Sequence, residues 1–201
     1  AAGPFHSQSN EAWFFHTPGL KIVYPSNPYD AKGLLCAALE DPNPYLYFEH
    51  KLLYRSIKDT IPDDYYTVEI GKANLVREGI DLSIITYGMG VHWALNASKS
   101  FPGQIEILDL RTLYPYDWDA IEASVKKHNK VFVLTEEPIM NSYAQAMAGR
   151  IGSELFKYLD APVQMLGAKN LPAVPLNSGL EKAMLPNVEK VKAVMEELLG
   201  W

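Results

Sequence analysis

Residues 82–110, LSIITYGMGVHWALNASKSFPGQIEILDL, decide the fold class. The apolar, β-branched run at 82–87 predicts a buried strand, and residues 105–110 predict a second one. Residues 91–100 between them have the length of a short helix. A strand, a helix and a strand in this order form a parallel crossover unit. The chain is therefore predicted to be α/β, with a mainly parallel sheet flanked by helices.

Outward from this unit the same alternation continues. It predicts strands over 20–24, 45–48, 66–69 (an edge strand), 130–135 and 163–166. It predicts helices over about 8–16, 27–40 and 118–127. A further helix should follow the capping box formed by Ser142 and Gln145, with one apolar stripe made of Met147, Ile151, Leu155 and Leu159. Asn187 should cap a last helix. Residues 51–64 have no strong period, so we expect a domain boundary that separates residues 1–64 from 65–201.

Composition narrows the classes of function. The 201 residues carry a net charge of −6, which disfavours a nucleic-acid partner because phosphate binding needs a basic surface. No apolar run approaches the ~20 residues of a membrane span, and residues 1–6 lack the pattern of a signal peptide.

The single cysteine, Cys36, is predicted to be a small core residue and indicates a reducing compartment. The missing initiator Met and the patterned start suggest a fragment.

The turn Gly88-Met89-Gly90 follows a strand and precedes a helix, as a dinucleotide-binding turn does. The third glycine of that fingerprint would fall at Trp93, whose indole prevents the close packing that the motif needs. We therefore expect a simple tight turn and no nicotinamide or ATP site.

Three other features carry candidate chemistry. His6 precedes a predicted helix and could face a ligand, although on local pattern a surface histidine is the more common outcome. Glu136-Glu137 end a buried strand, either at a functional edge or as a solvated pair. Glu49 could pair with Lys51 or Arg55 or join an inter-domain network. The pattern alone indicates a scaffold with site residues at its edges and no complete active site.

The turn Glu40-Asp41-Pro42-Asn43-Pro44 offers several oxygens at close spacing. Carbonyls freed at a helix C-terminus, together with an Asn or Asp side chain, can hold a hard monovalent cation. Most such turns bind only water, so the pattern by itself is a weak indication.

A series of motifs in fixed order resembles one known family. The motifs are Phe5-His6-Ser7-Gln8-Ser9, residues 16–21 and 25–35, Asp41-Pro42-Asn43-Pro44, Tyr54-Arg55, residues 70–73, Asp109-Leu110-Arg111-Thr112-Leu113-Tyr114-Pro115, Thr135-Glu136-Glu137 and residues 159–163. They resemble the β subunit of thiamine-diphosphate-dependent 2-oxo acid dehydrogenases along essentially all of the chain. The chain departs from the family at residues 141–144, which read Asn-Ser-Tyr-Ala, and at His50, where proline is usual.

The resemblance implies a division of labour. Residues 1–64 correspond to the second half of the pyrimidine-binding domain and residues 65–201 to the transketolase C-terminal domain. His6 corresponds to the active-site histidine, which hydrogen-bonds or protonates intermediates and aids acyl transfer to a lipoyl carrier. Asn43 oxygens and the carbonyls of Ala38, Leu39 and Asp41 correspond to a potassium site. Thiamine diphosphate and magnesium would be held mostly by parts outside this chain. The glutamate that starts ylide formation would also lie outside it.

The resemblance also implies partners and an activity: oxidative decarboxylation of a 2-oxo acid. The partners are an α subunit or fused α-like region, a second β chain and the subunit-binding domain of the acyltransferase core. The fragment alone is then inactive. One alternative is an inert assembly fragment for dimerisation and docking, and another is a different transketolase-like thiamine enzyme, which the His6-Ser7-Gln8-Ser9 segment disfavours. The expected location is the bacterial cytoplasm or the mitochondrial matrix.

Overall fold

A computed structural model describes residues 2–201, in which eight strands and eight α-helices alternate. The strands are β1 Lys21–Val23, β2 Tyr45–Tyr47, β3 Asn74–Arg77, β4 Leu82–Thr86, β5 Ile105–Asp109, β6 Thr112–Tyr114, β7 Val131–Pro138 and β8 Gln164–Ala168. The helices are α1 Glu11–Phe15, α2 Pro28–Glu40, α3 Leu53–Ser56, α4 Met89–Ala97, α5 Trp118–His128, α6 Tyr143–Glu154, α7 Ser178–Met184 and α8 Val188–Leu199. The predicted α/β class is confirmed.

The larger sheet has five strands in the order β3-β5-β4-β7-β8. Strands β4, β5, β7 and β8 are parallel, and β3 is an antiparallel edge strand. All five residues of β4 are buried, as a strand covered on both faces requires. Helices α4 and α8 cover one face, and α5 and α6 cover the other. The mainly parallel, helix-flanked sheet is as predicted.

A smaller sheet joins the two predicted regions. Its order is β2-β1-β6, with β1 parallel to β2 and antiparallel to β6. Strand β6 comes from beyond the predicted boundary, so the first region completes its sheet with a strand of the second. Ile22 and Tyr24 also share one core with Ile85 and Leu108. We call this junction the seam; the boundary near residue 64 stays a prediction.

Several predicted helix starts are present as hydrogen-bonded caps. Asn27 accepts a hydrogen bond from the N–H of Asp30 at 2.8 Å, ahead of Pro28 at the first helical position. Asp117 and Asn187 cap α5 and α8 in the same way. The Ser142 hydroxyl accepts from the N–H of residue 145, but the Gln145 side chain reaches the N–H of residue 141 instead of that of Ser142. The predicted capping box is therefore only half formed.

Residues 66–69 were predicted to be an edge strand, and this was wrong. The segment lies over α2, where the Val68 N–H donates to the Gly33 carbonyl at 3.0 Å. A Cβ at Gly33 would lie 2.5 Å from Cγ2 of Val68, so the absent side chain permits this approach. The alternating apolar residues cover a helix here, and the edge position belongs to β3.

Two smaller predictions also need correction. The helix predicted over about 8–16 covers only residues 11–15, because Asn10 and not a serine stands at its N-cap, and without a side-chain cap bond. Cys36 is partly exposed and not a core residue. Helices α3 and α7 and strands β3 and β6 were not predicted. Within residues 2–201, no helix is both long enough and apolar enough to cross a membrane.

The Gly88-Met89-Gly90 turn is a packing device. Gly88 has φ +53°, which side chains rarely adopt, and starts α4 immediately after β4. A Cβ at Gly90 would lie 2.1 Å from Oγ1 of Thr86, whose hydroxyl donates to the Leu134 carbonyl at 2.9 Å. The two glycines therefore allow a tight strand-to-helix turn against β7, as expected for a simple turn.

Candidate functional site

His6 lies in an exposed turn on the chain's surface. Its N–H donates to the Gly3 carbonyl at 3.4 Å, and the Gln8 amide donates to the Pro4 carbonyl at 2.9 Å. The imidazole itself is exposed. Four residues separate His6 from α1, so it does not stand directly at a helix N-terminus. A histidine in this position can exchange protons with a molecule that approaches from outside.

The residues after His6 lie along the seam. Ser7 and Ser9 face Glu136 and Pro138 at the end of β7, and also Ala168 at the end of β8. These are the carboxyl ends of parallel strands, where sites of α/β folds gather. The His6 turn is thus held over the functional edge of the larger sheet.

A groove of about 340 Å³ opens beside this turn. It runs between α1 and the loop before α6, lined among others by Gln8, Trp13, Met140 and Asn141. Trp13 is 72% exposed and Met140 59% exposed. The groove beside the turn is therefore open, with a mixed polar and apolar lining.

Glu136 and Glu137 are not a solvated pair, because each makes a separate, largely buried contact. Oε2 of Glu136 lies 2.7 Å from Nε2 of His50, with both side chains about 15–16% exposed. Burial lowers the pKa of His50, but the hydrogen bond and charge of Glu136 outweigh it and raise the pKa overall. His50, where the family usually has proline, thus ties the first region to the second.

Glu137 caps α6. Its Oε1 accepts a hydrogen bond from the Tyr143 N–H at 2.6 Å, at the positive end of the helix. Glu11 of α1 lies close by, and one hydroxyl, that of Tyr87, reaches both carboxyls. Burial raises the pKa of Glu11 to about 8 and that of Glu137 to about 7.

A second polar network crosses the seam beneath α2. The Ser26 hydroxyl donates to Oδ2 of Asp109 at 2.5 Å, and Nη2 of Arg111 lies 2.7 Å from Oδ1 of Asp30. Nε2 of His92 lies 2.7 Å from the Ser26 carbonyl oxygen. Burial raises the pKa of Asp109 to about 7. The Asp109-Leu110-Arg111 motif therefore fixes the position of α2.

The last turn of α2 and the loop after it contain the predicted cation ligands. Pro42 has no N–H, so the Ala38 carbonyl has no helical partner four residues on. The N–H of Asn43, which would serve Leu39, donates to Oδ1 of Asp41 at 2.9 Å. Within residues 2–201 no donor reaches Oδ1 of Asn43. These oxygens fit a hard monovalent cation.

The Asp41 carboxylate is already engaged. The Lys21 ammonium donates to it, and the Tyr45 hydroxyl does so at 2.8 Å. The hydrogen bond from Lys21 holds the pKa of Asp41 well below its usual range. A cation would therefore use the Asp41 carbonyl and not its side chain. No group of three or more His, Cys, Asp or Glu side chains that could hold a metal is present in the part of the chain described.

The structure does not join the predicted site residues into one cluster. No hydrogen bond or ion pair within residues 2–201 connects His6 with the loop at 38–43. Likewise, none of the ion pairs between described residues joins Glu49 to Lys51 or Arg55. Glu11 was missed as a site residue, since at the start of a helix it resembles an ordinary first-turn acid.

Comparison with known proteins gives a consistent result. The family model "Transketolase, C-terminal domain" matches residues 71–191, and "Transketolase, pyrimidine binding domain" matches residues 2–57. The chain is 46% identical over 197 residues to 2-oxoisovalerate dehydrogenase subunit beta of Bacillus subtilis (strain 168), covering 96% of this chain and 60% of that protein. It is 39% identical over 189 residues to pyruvate dehydrogenase E1 component subunit beta of Rhizobium meliloti (strain 1021), covering 92% and 41%.

A solved structure described as "Split gene transketolase, inactive beta4 tetramer" has the same fold, with a TM-score of 0.76 at 18% identity, covering 97% of this chain and 62% of that one. The chain spans less than two thirds of the length of the curated relatives named above. The expected resemblance is confirmed: the relatives are β subunits of 2-oxo acid dehydrogenases, and the chain belongs to the transketolase C-terminal domain family, with a pyrimidine-binding segment ahead of that domain.

Proposed function

We propose that this chain is the β part of the decarboxylating component of a 2-oxo acid dehydrogenase complex. The observation that carries the proposal is the 46% identity over 197 residues to a 2-oxoisovalerate dehydrogenase β subunit. The match runs through both the pyrimidine-binding segment and the C-terminal domain. The proposed substrate is a 2-oxo acid of the branched-chain or pyruvate type, since both kinds of relative match at 38–46% identity.

Within that enzyme His6 is the proposed acid–base residue of this chain. Its exposed imidazole directly precedes residues 7–9, which lie over the carboxyl ends of β7 and β8, and at the surface it can deliver or accept a proton. Acyl transfer to a lipoyl carrier needs such a residue at an open surface.

Thiamine diphosphate is the proposed cofactor, and it would supply the electron sink for decarboxylation. We assign none of its ligands to this chain; the diphosphate and magnesium would lie on the α part. Potassium would bind the carbonyls of Ala38, Leu39 and Asp41 and an oxygen of Asn43. There it would fix the C-terminal end of α2, whose other end meets the Asp30–Arg111 ion pair.

The proposed partners are an α subunit or fused α-like region, a second β chain and a small basic domain of the acyltransferase core. The net charge of −6 suits the last of these. A groove of about 590 Å³ beside α6 and β8, with Phe156 76% exposed at its edge, offers an apolar surface for a protein partner.

A second candidate is an assembly module without activity of its own. It is favoured by the description of the structurally similar chain as an inactive β tetramer. The two candidates separate by reconstitution. The full-length protein that contains this chain is mixed with a 2-oxo acid dehydrogenase α subunit, thiamine diphosphate and magnesium, and dye reduction dependent on a 2-oxo acid is measured. Activity that needs both subunits supports the enzyme; oligomers without activity support the assembly module.

A further inference from the structure

Two carboxyl groups are buried against each other at the seam. Glu11 on α1 is 1% exposed and Glu137 on β7 is 2% exposed. The Tyr87 hydroxyl oxygen lies 3.4 Å from Oε1 of Glu11 and 3.3 Å from Oε1 of Glu137. One phenol therefore bridges acids from the two regions of the chain.

The hydrogen-bond donors here are too few for two ionised carboxylates. Tyr87 has one O–H, and its shortest contact is to Oγ1 of Thr135 at 2.6 Å. Glu137 has a further donor in the N–H group of Tyr143 at the start of α6, 2.6 Å from its Oε1. In contrast, Oε2 of Glu11 is buried without a hydrogen-bond partner among residues 2–201. Glu137 can thus carry a charge, whereas Glu11 cannot do so without a large desolvation cost.

Among residues 2–201, no cation pairs with either acid; His16, which follows α1, lines the same groove as Glu137 but forms no ion pair with it. Tyr24 of the β1 end, Tyr87 of the β4 end and Tyr143 of α6 are neutral phenols, and burial raises their pKa values well above the usual range. On β7, Glu136 adds negative charge, and its partner His50 is committed to it. None of the ion pairs within residues 2–201 includes Glu11 or Glu137.

We propose that Glu11 and Glu137, which meet at the Tyr87 hydroxyl, together hold one proton, and that this proton keeps α1 docked on the C-terminal region. Helix α1 has only five residues and no side-chain N-cap bond. Its aromatic anchors are Phe15, whose ring centroid lies 5.0 Å from that of Tyr143, and Phe14, 6.3 Å from Phe48. Loss of this proton would leave two like charges buried close together and release α1. The His6 turn precedes α1, so its position depends on the same proton; only this last step rests on the proposed function.

The dependence on pH has a definite sign. Burial, with the charge of Glu137, raises the pKa of Glu11 from 4.5 to about 8. Between these values the folded chain holds a proton that the unfolded chain releases. The stabilisation that this proton gives is therefore fully present below pH 4.5 and is lost as the pH rises through about 8. One such proton raises the unfolding equilibrium constant about tenfold per pH unit in this window.

Chemical unfolding of the purified protein between pH 6 and 9 tests the proposal. The variants are Glu11→Gln, which keeps the shape and cannot ionise, and Glu69→Gln, an exposed control. We expect the unmodified protein and the control to lose stability as pH rises towards 8. Glu11→Gln should show a flatter profile and exceed both at pH 9. Titrations common to all three, such as that of His50, cancel in this comparison.

Infrared spectroscopy gives an independent measurement on the same proteins. A protonated carboxyl has a distinct C=O stretch, to which Asp109, with its pKa of about 7, also contributes at pH 7. We therefore expect this band to be weaker in Glu11→Gln than in the unmodified protein and in Glu69→Gln. If Glu11→Gln fails to fold, Asp109→Asn removes the other contribution, and the band that remains should titrate near pH 8. An equally strong band in Glu11→Gln and the unmodified protein, or an unchanged pH profile in Glu11→Gln, would overturn the proposal. Neither readout involves catalysis, so failure here leaves the proposed function untouched.

Discussion

Replacing Arg111 by methionine should separate the two regions of the chain more than any surface change. Asp30 is fully buried, and its Oδ1 lies 2.7 Å from Nη2 of Arg111. Arg111→Met keeps most of the side-chain volume but leaves the Asp30 carboxylate without its counter-charge. Removing one member of a buried ion pair costs about 3–5 kcal/mol. For a chain of this size, 1 kcal/mol corresponds to roughly 2–4 °C, so the melting temperature should fall by roughly 6–20 °C.

Differential scanning calorimetry measures this change, with Lys126→Met as the matched control. Lys126 pairs with Glu122 one helical turn away, and both side chains are about a third or more exposed. Such surface pairs contribute about 0.3–0.5 kcal/mol, so the control should melt within about 2 °C of the unmodified protein. The double variant Asp30→Asn/Arg111→Met should recover part of the loss, because no unpaired charge remains. Equal melting temperatures for Arg111→Met and Lys126→Met would refute the reasoning.

The other predictions concern the tight turn and the cation loop. Gly90→Ala should destabilise the protein by about 1–3 kcal/mol in urea unfolding, since the new Cβ would lie 2.1 Å from Oγ1 of Thr86. A Cβ at Gly149 in α6 would have no atom within 4 Å, so Gly149→Ala should instead stabilise the protein by up to about 1 kcal/mol. If both variants changed the free energy of unfolding in the same direction, the packing described would be contradicted. Exchanging potassium for lithium should lower the melting temperature of the unmodified protein. The control Asn96→Ala, at an exposed asparagine, should respond in the same way, whereas Asn43→Ala should not respond. Indifference to potassium would argue against the cation loop.

Local signals explain what the sequence predicted well. Strands β4 and β5 are continuous apolar runs, and the caps Asn27 and Asp117 act on residues only three positions away. Residues 66–69 show where local pattern fails. Their alternation is real, but it faces Gly33 on a helix instead of a neighbouring strand. Strand β6, only three residues long, exists because β1 lies beside it, which no local pattern reveals.

The seam was the least predictable part of the candidate site. The Glu136–His50 pair joins residues 86 positions apart, so no local pattern predicts it. The departure from the family pattern at His50 was the one feature of the sequence that pointed to this residue. Glu11 looked like a first-turn acid, and its burial depends on Tyr87, which is 76 positions further on. The His6 turn and the loop at 38–43 came from family motifs, and the structure supplies their surroundings. Long-range contacts of this kind follow from the fold and not from neighbouring residues.

We propose that this chain supplies His6 to a decarboxylating 2-oxo acid dehydrogenase. The most direct test is single-turnover acyl transfer to a lipoyl domain in the assembled complex, comparing His6→Ala with His16→Ala, another exposed histidine. General acid–base residues typically contribute 100- to 10,000-fold, so the account predicts a loss of about 100-fold or more for His6→Ala. It predicts an unchanged rate for His16→Ala. Transfer at the unmodified rate in a correctly assembled His6→Ala complex would contradict the claim.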